Sequence, residues 1–278
     1  MTAYFPIPPS ITLDHDKRKI VGSITFLNYP NNSLKSILKK NNYKDIVYLG
    51  VYCFRNKKWF LLKTFKCKPI EFIEISRSKL DVEDHEMVVA VPKKLNIFKE
   101  TYNNLPAPDL LKIDNSTISQ RASLNFSYLN STTSYQGEYP LIMSDLKKGS
   151  LLTFDSLKQT NFSSNKNFLI LMNISNNINT LEPIKIEYFN PKNRGKIKTI
   201  YARRNYFSVF KSSEYENHLD NPSTIFFRSN EASFIPLMLS IDINTNQLSI
   251  EHTHPPSEYF FGIQKLKYVN LIKKQWIN

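Results

Sequence analysis

The sequence predicts an all-β fold, a β-sandwich or jelly-roll-like arrangement with minor helical additions. Three observations predict it: short segments of alternating apolar residues, turn residues at short intervals, and no alternation of strands with helices. The chain has 278 residues, of which 41% are hydrophobic and 13% aromatic. That is enough for one large β-domain or two smaller ones with real cores.

Residues 1–104 are predicted to form a β-rich N-terminal domain. Alternating apolar residues indicate strands over 19–29, 71–76 and 86–91. Between the first two, apolar residues at helical spacing behind a polar cap indicate a short helix over 31–41.

Residues 46–67 are predicted to form a β-hairpin that turns at Asn56 and Lys57. Aromatic side chains on facing positions stabilise such a ladder. The predicted register forms two aromatic pairs, Phe54 with Trp59 and Tyr48 with Phe65.

The two cysteines of the chain, Cys53 and Cys67, both lie in this hairpin. The register places Cys53 beside Phe60 and Cys67 beside Ile46, which separates the sulfurs by about 20 Å along the ladder. A disulfide needs Cα atoms within about 7 Å. We therefore expect two free thiols, as in a reducing compartment.

Residues 103–109, NNLPAPD, are predicted to be a linker, because two prolines and polar flanks oppose regular structure. Residues 110–278 are then predicted to form a β-sandwich or jelly-roll-like C-terminal domain, with a single domain as the alternative. Its predicted strands cover residues 118–129, 138–144, 150–157, 167–175, 183–189, 196–202 and 223–229, with a hairpin over 234–254. Residues 262–277 are predicted to close the domain as a C-terminal helix, with a strand as the alternative.

The chain carries a formal charge of +13. A basic balance is typical of proteins that bind nucleic acid, an anionic membrane surface or an acidic polysaccharide. Here the charge is mostly lysine and is spread along the chain, so nucleic acid is the less favoured partner. No signal-peptide pattern and no apolar run long enough for a transmembrane segment occur, which predicts a cytoplasmic protein.

Two segments are candidate ligand-binding sites. In residues 134–140, Tyr135 and Tyr139 can stack on a sugar ring while Glu138 accepts a sugar hydroxyl, with a packed edge turn as the alternative. Around Arg203 and Arg204, interleaved basic residues and tyrosines suit phosphate or an anionic sugar. The alternative there is a solvated hairpin whose charges protect an edge strand.

The segment LSIEHTHPPSE, residues 248–258, is the candidate metal site. His252 and His254 continue the apolar face of a predicted strand, and two prolines can bring Glu258 back toward them. Two imidazoles and a carboxylate suit one divalent metal such as Fe, Mn, Ni or Zn. The alternative is a buried histidine pair that only specifies packing.

HTHPPSE also resembles the first motif of the cupin superfamily, His-x-His followed by a glutamate. The resemblance covers about ten residues and implies a jelly-roll barrel in which His252, His254 and Glu258 bind a metal. Cupins carry a glycine where this chain has Asn246, and no histidine follows His254 to complete their ligand set.

Three functions are therefore predicted in order of preference. The first is a non-catalytic β-sandwich protein that binds a ligand or partner, such as an anionic glycan or another protein. The second is a cupin-like, metal-dependent enzyme that uses the histidine pair. The third is nucleic-acid binding through the basic hairpin around residues 192–204.

Overall fold

The structure, a computed structural model, confirms the all-β prediction. The part of the chain that it describes consists of antiparallel strands in four sheets, with one 3₁₀ turn and one four-residue helix. The described residues are 3–13, 17–28, 46–69, 71–109, 120–144, 150–154, 164–176, 183–189, 195–211, 225–229, 232 and 234–252. The predicted helices over 31–41 and 262–277 lie outside them.

The chain folds into two compact units. The first contains Met1–Ile142 with Asn176–Ile178, and the second contains Met143–Ser175 with Asn179–Asn278. Their division thus falls at residue 142 rather than in the predicted linker. None of the helices in the described ranges is long and apolar enough to cross a membrane.

The first unit is a sandwich of two antiparallel sheets. Its strands are β1 (Ala3–Ile7), β2 (Ile11–Thr12), β3 (Lys19–Asn28), β4 (Val47–Arg55), β5 (Lys58–Cys67), β6 (Glu71–Ser76), β7 (Val88–Lys93), β8 (Thr101–Tyr102), β9 (Gln120–Tyr128), β10 (Ser131–Gln136) and β11 (Tyr139–Pro140). One sheet has the order β11-β1-β7-β4-β5-β8; the other has the order β10-β9-β3-β2, with β6 also paired to β3. Arg77–Lys79 form the 3₁₀ turn and Leu141–Ser144 the helix α1, so the strand predicted over 138–144 is only two residues long.

The core of this unit lies between its two sheets. Phe5 of the six-stranded sheet meets Phe26 of the other sheet edge to face, with ring centroids 5.3 Å apart. Valines, leucines and isoleucines from both sheets surround this pair and are almost fully buried. Such burial is the main source of stability in a two-layer β-fold.

The predicted hairpin is confirmed as β4 and β5. Asn56 and Lys57 have positive φ angles of 47° and 64°, as a tight two-residue turn requires. Phe54 pairs with Trp59, and their ring centroids are 5.1 Å apart. The predicted Tyr48–Phe65 pair is wrong, because a β-bulge after Val51 shifts the register by one residue.

The bulge places Cys67 opposite Val47, while Cys53 pairs with Phe60 as predicted. Both cysteines are free and buried, which confirms the prediction of two thiols. Burial raises the pKa of Cys53 to about 12 and that of Cys67 to about 11. At neutral pH both therefore stay protonated and unreactive.

The predicted linker is packed onto the six-stranded sheet. Leu105 is buried and its carbonyl accepts a hydrogen bond from the hydroxyl of Tyr4. Asp109 binds the backbone of Lys94 and the ammonium of Lys93 at 2.8 and 3.0 Å. Strand β9 then pairs along β3, so residues 120–128 belong to the first unit.

The second unit is also a sandwich, built from eight described strands. They are β12 (Ser150–Phe154), β13 (Asn165–Met172), β14 (Ile184–Phe189), β15 (Lys196–Ala202), β16 (Phe207–Lys211), β17 (Ile225–Ser229), β18 (Ile235–Asp242) and β19 (Gln247–His252). One sheet has the order β12-β17-β14-β15 and the other β16-β13-β18-β19. Apolar residues of both sheets, including Tyr188 against Phe227, form its core.

Two arginine side chains tie residues 77–87 to the strands of the first unit. The Arg77 side chain is buried and donates to the backbone carbonyls of Ile7, Glu83 and Glu86. Burial lowers the pKa of Arg77 to about 10, so it remains charged at neutral pH. Arg55 binds both carboxylate oxygens of Glu86, as a guanidinium suits.

We predict that Gly22→Ala destabilises the first unit by about 3 kcal/mol or more. A Cβ at Gly22 would lie 2.1 Å from the carbonyl oxygen of Pro8, and backbone cannot move aside as a flexible side chain can. Chemical denaturation measures the loss. Lys19→Ala, an exposed change in the same strand, is the control and should change stability by less than about 0.5 kcal/mol. Equal effects of both changes would contradict the close approach.

Stability of the first unit should fall in acid through Glu86. Burial alone would raise the pKa of Glu86, but hydrogen bonds from Arg55 and the Glu83 backbone outweigh it and hold this pKa below its usual range. The ionised Glu86 therefore stabilises the fold at neutral pH. That contribution is lost as the pH falls from about 4.3, the unfolded value, through the folded-state pKa.

We predict that Glu86→Gln lowers the free energy of unfolding at pH 7 by roughly 2–3 kcal/mol. It should also flatten the dependence of stability on pH below about 4.3. Denaturation curves at a series of pH values measure both effects. Glu74→Gln, which changes an exposed carboxylate, is the matched control. An unchanged acid profile in Glu86→Gln would show that the ion pair adds nothing.

Candidate functional site

An open groove crosses the outer face of the β10-β9-β3-β6 sheet, on the side opposite the core. Its volume is about 530 Å³, within the range of small-ligand sites. Four strands contribute to its walls, which are lined by Thr25, Leu27, Phe72, Ala122, Ser123 and Gln136. We call this feature the sheet groove.

Alternation along β3 and β6 places Thr25, Leu27 and Phe72 outward. In β3, Ile24 and Phe26 are buried, so Thr25 and Leu27 face the other way. In β6, Ile75 lies in the core and Phe72 belongs to the opposite face. Phe72 is 67% exposed and Leu27 is 36% exposed. The two residues are direct partners across the strands and form one apolar wall.

A row of polar side chains crosses the sheet at the groove. Thr25 pairs with Ser123 of β9, and Ser123 pairs with Gln136 of β10. Neighbouring strands lie about 4.8 Å apart, so the row from Thr25 to Gln136 spans about 10 Å. On the other side Thr25 pairs with Glu74 of β6.

Hydrogen bonds hold these polar side chains in place. Ser123 donates to the amide oxygen of Asn125 at 2.9 Å, and the amide nitrogen of Asn125 donates to the Thr25 hydroxyl at 3.0 Å. At the other end of the row the Gln136 amide donates to the Glu138 carboxylate. The groove therefore has a mainly apolar lining, next to a row of hydroxyl and amide groups that hydrogen bonds hold in place.

The three residues of the predicted site at 134–140 lie in different surroundings in the structure. Glu138 is half-buried and accepts a hydrogen bond from the amide of Gln136, which lines the groove. Tyr135 pairs with Leu124 and turns partly into the sandwich, where burial and then the charge of Glu138 raise its pKa. Tyr139 is completely buried in β11, so a ligand at the sheet surface does not reach it.

The basic residues predicted around Arg203 lie in the second unit. Arg203 is exposed and stands over the ring of Tyr206 at 5.7 Å, whereas Arg204 is half-buried. On the β14–β15 ladder, Glu187 accepts from both Lys185 and Lys196 at 3.1 and 3.3 Å. This carboxylate neutralises part of the positive charge of the β14–β15 surface.

The predicted metal site falls mostly outside the described residues. The backbone of His252 ends β19, opposite Leu237, and neither its side chain nor His254 and Glu258 are described. No group of three or more histidine, cysteine or acidic side chains that suits a metal occurs in the described ranges. The metal prediction stays a prediction.

Sequence reasoning missed Leu27 and Phe72. The signal was present in EFIEIS, residues 71–76, where Ile73 and Ile75 mark the core face. Phe72 shares the other face with Glu74 and Ser76, and an aromatic residue on the polar face of an amphipathic strand is unusual. Which strands stand beside it cannot be read from the segment alone.

No protein-family model, curated protein or solved structure matches this chain significantly.

Proposed function

We propose that the protein is a non-catalytic β-sandwich protein that binds a neutral glycan in the sheet groove. The observation that carries this proposal is Phe72, a 67% exposed aromatic ring beside fixed hydroxyl and amide groups. Sugars present an apolar C–H face and a rim of hydroxyls. Stacking on an aromatic ring and hydrogen bonds to fixed polar groups recognise those two features together.

The two carboxylates described beside the polar row favour a neutral sugar over an anionic one. Glu74 is exposed beside Thr25, and Glu138 lies at the Gln136 end of the row. Both carboxylates can accept sugar hydroxyls, whereas they would repel a uronate or sulfate. A second protein would also meet these charges, and the open groove is small compared with a typical protein interface.

We also infer a cytoplasmic location. Both cysteines are free thiols, and their positions on opposite parts of the β4–β5 ladder keep them from forming a disulfide.

We predict that Phe72→Ala weakens glycan binding by about tenfold or more, because stacking and apolar contact are lost together. Affinity electrophoresis of the full chain through gels with soluble glucan, mannan or xylan measures binding, and alginate serves as the anionic comparison. Leu129→Ala, which removes another exposed apolar side chain, is the control. Thermal unfolding should show that both variants remain folded.

Two results would contradict the proposal. One is retardation of wild type and Phe72→Ala to the same extent, which would place binding elsewhere. The other is retardation by alginate alone, which would indicate that the glycan binds at a basic surface and not in the sheet groove. Thr25→Ala and Gln136→Ala should each weaken binding less than Phe72→Ala, since each removes one hydrogen-bonding group from an exposed row.

A further inference from the structure

Two aliphatic side chains project into solvent just after strand β7 of the first unit. Leu95 and Ile97 are each 63% exposed, although both are fully apolar. They follow the end of β7 in the sequence KKLNIFKE, residues 93–100. We call Leu95 and Ile97 the apolar tip. It is separate from the sheet groove, whose lining contains neither residue.

The apolar tip is held by a tight turn. The backbone N–H of Ile97 donates to the carbonyl of Leu95 at 2.9 Å, two residues back, which closes a three-residue turn around Asn96. All four residues from Lys94 to Ile97 are exposed. The two aliphatic side chains are therefore presented by a defined backbone conformation.

Both ends of this turn are anchored to the sheet. On one side, Asp109 accepts from the backbone N–H of Lys94 at 2.8 Å. On the other, Phe98 packs edge to face with buried Tyr52, and the Tyr52 hydroxyl donates to the carbonyl of Lys99. The Phe98 ring occupies the space that a side chain at Gly50 would need. Phe98 thus anchors the turn to the sheet, while Leu95 and Ile97 remain exposed.

The charges beside the tip are mainly positive. Lys94 and Lys99 flank it and are exposed, while Lys93 is paired with Asp109. Glu100 is the single carboxylate in residues 93–100, and its backbone carbonyl accepts from the N–H of Leu61. The segment thus keeps a net positive charge, in a chain whose formal charge is +13.

We propose that the apolar tip docks the protein on an anionic phospholipid bilayer. Peripheral membrane binding has two components: aliphatic side chains enter the acyl boundary, and lysines contact lipid phosphates. Two side chains make too small an area for a stable protein interface, which needs about 800 Å² from each partner. The occupant that fits a small apolar point with flanking cations is therefore a negatively charged lipid surface.

The test is sedimentation of the full chain with vesicles. Wild type should bind vesicles of phosphatidylcholine mixed with phosphatidylserine more tightly than vesicles of phosphatidylcholine alone, and salt should weaken this binding. Leu95→Ser/Ile97→Ser should bind at least about tenfold more weakly, since apolar burial in the bilayer is lost. Its melting temperature should stay at the wild-type value, because both side chains are exposed.

A matched control and a charge variant separate the contributions. Leu129→Ser removes a comparably exposed aliphatic side chain from another turn of the same unit, and it should bind as wild type does. Lys94→Gln/Lys99→Gln should show a smaller preference for phosphatidylserine and keep the weak binding to phosphatidylcholine. Ile97→Trp should show a blue-shifted emission and quenching by brominated lipid that wild type lacks.

Three outcomes would overturn the proposal. First, wild type could fail to bind vesicles at low salt. Second, Leu95→Ser/Ile97→Ser could bind phosphatidylserine vesicles as wild type does, and diffuse charge attraction would then be enough to explain the binding. The emission of Ile97→Trp could also stay unchanged on vesicles, which would place the tip in water. Gel retardation by neutral polysaccharides serves as an independent readout, because the tip variants leave the sheet groove intact.

Discussion

Burial of one face of strand β3 is the constraint on which both the core and the candidate site of the first unit depend. Phe26 lies against Phe5 between the two sheets, and strand geometry then forces Thr25 and Leu27 outward. A slip of one residue in register would bury Thr25 and expose Phe26. The interaction that stabilises the sandwich therefore also fixes the floor of the sheet groove.

Local features of this fold could be predicted from the sequence because their causes are local. The turn at Asn56 and the Phe54–Trp59 pair follow from residues that are adjacent in the hairpin. The predicted register is wrong from Val51 back to Val47, because a bulge between Val51 and Tyr52 inserts one residue. A bulge is set by how a strand bends over its neighbours, and the sequence of one hairpin does not contain that information.

The candidate site was less predictable because its parts are distant in sequence. Leu27, Phe72 and Gln136 meet only after β3 has paired with β6 and β9. Tyr139 was predicted to bind a ligand because it follows a glycine turn, yet its pairing with Tyr4 carries it into the interior. Likewise the prolines near residue 105 indicated irregular backbone correctly, but irregular backbone can still pack against a sheet.

The two apolar surfaces of the first unit have a common physical origin. In each, the side chain next in sequence packs inward and leaves the exposed one outside: Phe26 is buried beside Leu27, and Phe98, which follows Ile97, packs against Tyr52. Folding has already ordered both backbones, so a ligand or a bilayer would not have to order them again. A side chain on an ordered backbone loses only its own rotamer freedom on binding, and this makes such exposure better suited to recognition than the same residues on a disordered loop.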